Sequence, residues 1–434
     1  SHMESLAYGG LGAGWGAGSA VYSGVELKAA GFDPVVMSEA YNTIAARIGL
    51  SGELDDATPY CGSEYMPLQP KLRTDASITL LYEAYRRHRV KLKERGVVMG
   101  RMPAAVLSRS IGNRGPTPYT DMEFWADHAR AVYRPWMTID TLRRNPNFQY
   151  MPGRLVTHFV EHADHVAVHA RRLDTNQEEI VLARRLVLGT GAFGSARIVM
   201  RSQPSLEERP FLTNAYSLAP CLHLRFLGQT LNRERTSLGQ LEMFLDRRGD
   251  GLDVRMVSLY TYRSLLLFKL IKEVPLAFRD ALPIMRTLAP AIVLATINHP
   301  DHPAHHKRIR RVVDSQSPTG DALRIEYARS IEEDVDDACC ERDLLAAMWR
   351  LGCPVLKRKK MRPGSTVHYA GTLPFDNSET PGTITRDGRL AGTRRVYVAD
   401  ASGFRYLPAS GPTLTIMAWA HMVARNLCSQ RFDA

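Results

Sequence analysis

Three stretches of this 434-residue chain combine residue types at spacings that suit chemistry. The first is Gly189-Thr190-Gly191-Ala192-Phe193-Gly194, which follows Leu186-Val187-Leu188 and opens a predicted helix. Glycines at this spacing let backbone approach a pyrophosphate, and helix N–H groups meet its charge. Alone it reads as a dinucleotide fingerprint. An NAD site would also need an acid ending a second parallel strand about 20 residues on. Here Glu207-Glu208 fall in a loop bounded by Pro204 and Pro210, which argues against NAD. The second stretch is a predicted strand ending at Asp400, a loop, and a helix opened by Gly411-Pro412-Thr413 with proline at its favoured first position. Ligands of α/β sheets gather at strand ends facing helix N-termini. Asp400 there accepts from ribose or ribityl hydroxyls, or merely ties down its own loop. The third is His368, with Gly364 before it and Gly371-Thr372 after it. Imidazole suits proton abstraction near neutral pH, although a lone histidine is more often structural.

The elements that must position these residues follow from periodicity. Glycine recurs at 9, 10, 12, 14, 16 and 18, so this stretch is expected to be a loop lying close to a ligand or to other backbone, against the Asp400 loop and the start of the last helix. Residues 78–94 and 121–133 read as amphipathic helices. Residues 155–160, 165–170 and 178–183 alternate like an antiparallel meander and feed the buried strand 186–188. A helix is expected over 195–202. Strands are expected at 221–226, 253–259, 322–327 and 395–400, and helices at 332–351 and 412–427. Pro275, Pro283 and Pro290 divide the apolar zone 265–297 into short helices. Strand–helix units at 186–202 and 395–427 around an antiparallel middle give an α/β plus α+β fold.

Composition bounds the partners. With 44% apolar residues the chain holds a sizeable core. The net charge of +11 favours anionic ligands, but the basic residues are scattered, so no nucleic-acid partner is expected. No window is apolar enough for a membrane span. Ser1-His2-Met3 resembles a purification-tag scar and is set outside the fold. The following residues carry no secretion signal, so a cytoplasmic protein with reduced, mostly buried cysteines is expected. His299-Pro300-Asp301-His302 with His305-His306 reads as a solvated loop rather than a metal site, and Lys357-Arg358-Lys359-Lys360 as a solvated strand end.

Taken together, these pieces resemble the glucose–methanol–choline (GMC) family of FAD-dependent oxidoreductases. Thr366-Val367-His368-Tyr369-Ala370-Gly371-Thr372 is similar to its histidine segment. Val396-Tyr397-Val398-Ala399-Asp400-Ala401-Ser402 is similar to its Asp-Ala-Ser strand, and Pro412-Thr413-Leu414-Thr415 to its closing helix. Residues 188–197 resemble its second signature, and Gly9–Gly18 with Trp15 its glycine-rich loop beside the flavin. The resemblance implies FAD held by Gly14, Trp15, Gly16, Gly18, Gly189, Gly191, Gly194, Asp400, Ala401, Gly411, Pro412 and Thr413, no metal, and His368 as the catalytic base. It implies a discontinuous flavin domain of 4–35, 150–205 and 385–434, and an antiparallel-sheet substrate domain of 36–149 and 206–384, the latter including helices at 264–297.

Two departures shape the expected function. The family's first strand, G-x-G-x-x-G turn and second strand, which grip the ADP half of FAD, have no counterpart before Gly9. The flavin domain is therefore expected to be incomplete, with FAD bound weakly or not at all by this chain alone, or with a partner chain supplying the unit. The family also places a histidine or asparagine just before its Pro-Thr; Gly411 stands there and cannot share proton work. The leading expectation is FAD-dependent oxidation of an alcohol group on a small molecule, a sugar, polyol or natural-product intermediate. Its rivals are a non-redox cyclase or isomerase on a flavin-free GMC scaffold, and a subunit completing another chain.

Overall fold

The computed structural model describes residues 2–62, 64–261, 275–317 and 319–429. Of the helices predicted for 264–297, the part over 264–274 therefore lies outside the described residues. The largest sheet has six strands in the order Lys359–Lys360, Tyr216–Leu222, Ile292–Asn298, Arg255–Thr261, Leu241–Leu245, Val97–Gly100. Every neighbouring pair is antiparallel. Its apolar residues Val257, Leu259, Val293, Ala295 and Ile297 share a core with Ile78, Leu81 and Tyr85 of helix Ala76–Lys93 and with Leu344, Ala347 and Met348 of helix Ile331–Arg350. The second helix starts in a capping box between Ser330 and Glu333, which satisfies two of its orphan backbone donors.

A second, larger core gathers the βα units. Strands Leu186–Leu188 and Val396–Val398 pair in parallel. The meander Arg154–Glu161, Val166–Arg172, Glu178–Ala183 joins the same core through Phe159, Val166 and Val168. The closing helix Thr413–Ser429 packs Leu414, Ala418, Trp419 and Val423 into it. Helix Pro34–Ile48 lies beside the closing helix, with the Tyr41 hydroxyl 2.7 Å from Thr415 Oγ1. The dividing line expected after residue 35 runs through this helix, whose cap is Asp33 and whose first residue is Pro34.

Several expectations need correction. Residues 121–133 form turns rather than a helix. Asp127 accepts from the N–H groups of Ala131 and Val132, and Asp121 and Arg130 hold positive φ, so side-chain bonding to backbone outcompetes the helix ladder. Residues 10–14 form a short 3-10 helix within the expected loop. The apolar run expected to be helical through 297 is a helix only to Leu288; Ile292–Asn298 is a central strand. Pro283 sits inside that helix rather than ending it. The strand expected at 221–226 ends at Leu222, and a 3-10 turn follows at Leu224–Phe226. The helix placed at 195–202 begins at Gly191. His2, set outside the fold, stands edge-on to Phe193 and Phe211 at 5.7 Å. Finally, His299 and Asp301 are buried rather than solvated, while His305 and His306 are exposed.

Asp301 and Lys307 are both fully buried and joined at 2.6 Å. Removing Lys307 leaves the Asp301 carboxylate with only Arg329, at 3.7 Å, as a cationic partner in a low-dielectric interior, and breaking such a buried pair costs roughly 3–5 kcal/mol. Lys307→Met is therefore expected to lower unfolding free energy by about that amount in urea denaturation. Lys71→Met, at an exposed pair with Glu53, is expected to cost under about 1 kcal/mol. Equal effects of the two substitutions would contradict the assignment.

Candidate active site

The candidate base sits at a junction of three backbone pairings. Tyr369-Ala370 pairs antiparallel with Leu212-Thr213. The chain beyond runs beside the Asp400 loop: Gly371 N donates to Ala401 O, Leu373 N to Ser402 O, and Phe375 N to Gly403 O. Asp301 and Leu407 then exchange backbone hydrogen bonds. Gly371 is required here: its φ is +75°, and a Cβ would stand 2.8 Å from Leu212 and 3.0 Å from Phe404 O. On the other side of His368, Val367 holds φ 61°, which a β-branched residue adopts only under strain.

His368 is half-buried, and desolvation pushes its pKa down to about 4. Its Nδ1 lies 2.9 Å from Asn214 Oδ1. The opposite edge of the ring faces Gly411: a Cβ built there would stand 3.7 Å from both Cε1 and Nε2. The structure thus brings His368 to the start of the closing helix, where Pro412 is buried and Thr413 half-buried. Ser410, beside Gly411, has a buried hydroxyl with no hydrogen-bond partner among the described residues.

The first glycine segment meets the Asp400 loop. Thr372 Oγ1 donates to Ala192 O at 2.9 Å, and Ala399 N donates to Leu188 O at 2.8 Å. Asp400 is buried, which pushes its pKa up. Its Oδ2 accepts from Ser195 Oγ at 2.5 Å, and its Oδ1 from the N–H of Ser402 at 2.9 Å and the Ser402 hydroxyl at 2.6 Å. Gly191 N–H also donates to this carboxylate. Four donors occupy most of what one carboxylate accepts. Asp400 thereby ties the glycine segment to its own loop.

The second glycine segment is held by residues 102–136. Trp15 Nε1 donates to Tyr133 O at 2.7 Å, and Arg134 donates to Trp15 O at 2.5 Å. Cβ atoms on Gly9 and Gly12 would meet Trp136 and Pro135, and one on Gly18 would meet Met102. The residue that sequence reading missed is Asn214. A single asparagine in Phe211-Leu212-Thr213-Asn214-Ala215 carries only one signal, a polar side chain within an apolar run.

With this geometry in place, comparison with known proteins is informative. Residues 346–420, which include His368, Asp400 and Gly411, match the family model described as GMC oxidoreductase. A fungal aryl-alcohol oxidase shares the fold at TM-score 0.57 and 13% identity, over 98% of this chain and 86% of that one. An FAD-dependent oxidoreductase from Chaetomium thermophilum does so at 0.55 and 13%, over 95% and 84%. Pyridoxine 4-oxidase from Mesorbium loti does so at 0.53 and 15%, over 88% and 72%. No curated protein matches by sequence. The segment carrying His368 and Asp400 matches the GMC oxidoreductase family model, and the chain shares the fold of these three solved structures. No helix of the described residues is long and apolar enough to cross a membrane.

The depressed pKa of His368 has a measurable consequence. Between about 6.5 and 4 the unfolded chain binds a proton at this position that the folded chain does not. The unfolded state therefore binds more protons, and the contribution of His368 to stability falls as pH drops through that window. His368→Gln removes this term. The difference in Tm between His368→Gln and the parent is expected to shift in favour of the variant from pH 7 to pH 4.5. A difference that stays constant with pH would show that His368 titrates normally.

Proposed function

We propose that the chain is an oxidoreductase that oxidises an alcohol group of a small molecule, with His368 as general base and FAD as cofactor. The observation that carries this reading is the His368 ring, kept uncharged by burial, with its Nε2 edge facing Gly411 at the start of the closing helix. In the reaction the O–H bond of the substrate breaks and its proton passes to His368. The carbinol C–H bond gives up a hydride as the C=O bond forms. FAD, when bound, supplies the hydride acceptor. The buried Ser410 hydroxyl beside Gly411, without a partner among the described residues, offers a polar contact to an oxygen-bearing substrate. Since Gly411 has no side chain to share the proton, His368 works alone or with a water.

The residues present fit the cofactor in part. Gly14, Gly16, Gly189 and Gly191 are exposed, and a Cβ on each would meet open space. The helix opening at Gly191 has no cap from its own Thr190, and its N-terminus faces the open glycines, which suits an anionic group. Asp400, already holding four donors, supports the loop more than a ribityl or ribose hydroxyl. That observation also favours the second reading, a non-redox reaction on the same scaffold, with His368 moving a proton without hydride transfer.

Two measurements test the proposal. Titration of the purified chain with FAD, followed by flavin fluorescence and visible absorbance, is expected to show weak binding. Tight stoichiometric binding would show that the described contacts suffice without further support. His368→Ala is expected to lower alcohol-dependent turnover by about 10²–10⁴ with little change in Tm. Full activity in that variant would remove His368 from the mechanism. Turnover that persists without flavin would select the non-redox reading.

A further inference from the structure

We infer that Asn214 is a positioning residue that holds His368 in the tautomer protonated at Nδ1, so that Nε2 presents its lone pair toward Gly411. The use made of that lone pair rests on the oxidation reading above; the tautomer itself does not. Asn214 is 1% exposed, so its amide has no water to satisfy it. Its Nδ2 donates to His299 O at 2.8 Å and to Pro408 O at 2.9 Å. Carbonyl oxygens only accept, so the nitrogen end of the amide must face them. Flipping the amide would set an oxygen against two carbonyls and leave three buried groups unmatched, each at a cost of roughly 1–3 kcal/mol.

With Nδ2 so fixed, Oδ1 faces His368 Nδ1 at 2.9 Å. An amide oxygen has no proton to give, so the shared proton belongs to Nδ1. The half-buried ring carries a single proton at neutral pH, in keeping with its depressed pKa. Nε2 is then bare. This is the opposite of the tautomer that a free histidine side chain favours in water, so the protein has to select it. Selection by a neighbour of the other ring nitrogen is the usual device for aiming a histidine. The same amide fixes where the base points. Asn214 follows Thr213, which pairs with Tyr369, and it bonds Pro408 in the loop that leads to Gly411. One side chain therefore joins the base to the backbone it faces.

The test is a long-range proton–nitrogen correlation spectrum of the full chain labelled with ¹⁵N-histidine at neutral pH. The chain has 14 histidines, and the His368 signals are identified by their loss in His368→Gln. The expected pattern is a protonated Nδ1 and a bare Nε2. Asn214→Leu, similar in volume but without donor or acceptor, is expected to move the His368 signals toward the Nε2-protonated pattern. A parent spectrum with Nε2 protonated overturns the inference, as does a folded Asn214→Leu variant with unchanged His368 signals. If Asn214→Leu does not fold, the parent spectrum decides. Neither spectrum needs FAD or turnover, so failure of the oxidation reading leaves this result intact. In an active preparation, Asn214→Leu is expected to lower kcat while leaving KM nearly unchanged.

Discussion

The buried carboxylate of Asp301 is the constraint on which the site depends. Its Oδ1 accepts from Lys307 Nζ at 2.6 Å and its Oδ2 from the N–H of Thr213 at 2.9 Å. Its backbone exchanges hydrogen bonds with Leu407. A buried ion pair is stable only where the geometry is good and the remaining lone pairs are satisfied, because both charges lose their hydration. Here the satisfaction comes from the strand before Asn214 and the loop before Pro408. Moving the first would strip a partner from a charge that water cannot reach, and moving the second would leave the backbone of the same buried residue unpaired. The ion pair therefore fixes the relative position of two segments that otherwise share no sheet. His299, two residues before Asp301, is held in turn: its Nδ1 lies 3.0 Å from Asp337 and its Nε2 lies 2.9 Å from Glu341. Its carbonyl is one of the two that orient Asn214.

The site then divides into a rigid half and an open half. The rigid half is His368, Asn214 and the 404–411 loop, pinned by backbone pairings on each side. Strain at Val367 belongs to this half, since such a φ persists only where the surroundings overdetermine it. The open half is made of glycines with free space above their Cα atoms at 14, 16, 189 and 191. Asp400 lies between the two and is spent on structure. This division suits a base that must not move, set opposite surfaces shaped by whatever they receive.

Legibility in the sequence followed the range of the interactions. The meander and the strand–helix unit at 186–202 were readable because alternation and a glycine-to-helix transition are local patterns. The closing helix was readable from Pro412 for the same reason. Ile292–Asn298 was not, because a short, continuous apolar run fits a buried strand and a buried helix equally well. Residues 121–133 show helical spacing, but Glu123 turns to accept from Ser237 and Asp127 to cap its own turn. Those partners are invisible to periodicity. His299 and Asp301 looked solvated because polar residues near prolines usually are, and only Lys307, Asp337 and Glu341 make their burial tolerable. Asn214 was the least legible, since both carbonyls that orient it come from distant parts of the chain.

The chemistry of His368 turns on the contest between burial and charge. A general base works best with a pKa near the working pH, because it must be both unprotonated and willing to take the proton. Burial secures the first condition and weakens the second, holding the pKa at about 4. Asn214 does not restore it, being neutral. Gly411, facing Nε2, supplies neither an acceptor nor a charge. The missing basicity has to come from what binds in the open half. Negative charge arriving or developing there, in a space from which water is displaced, stabilises the imidazolium more strongly than it would in solvent and raises the pKa. On the proposed reading, His368 is a weak base in the free protein and gains strength alongside a ligand that carries or acquires negative charge.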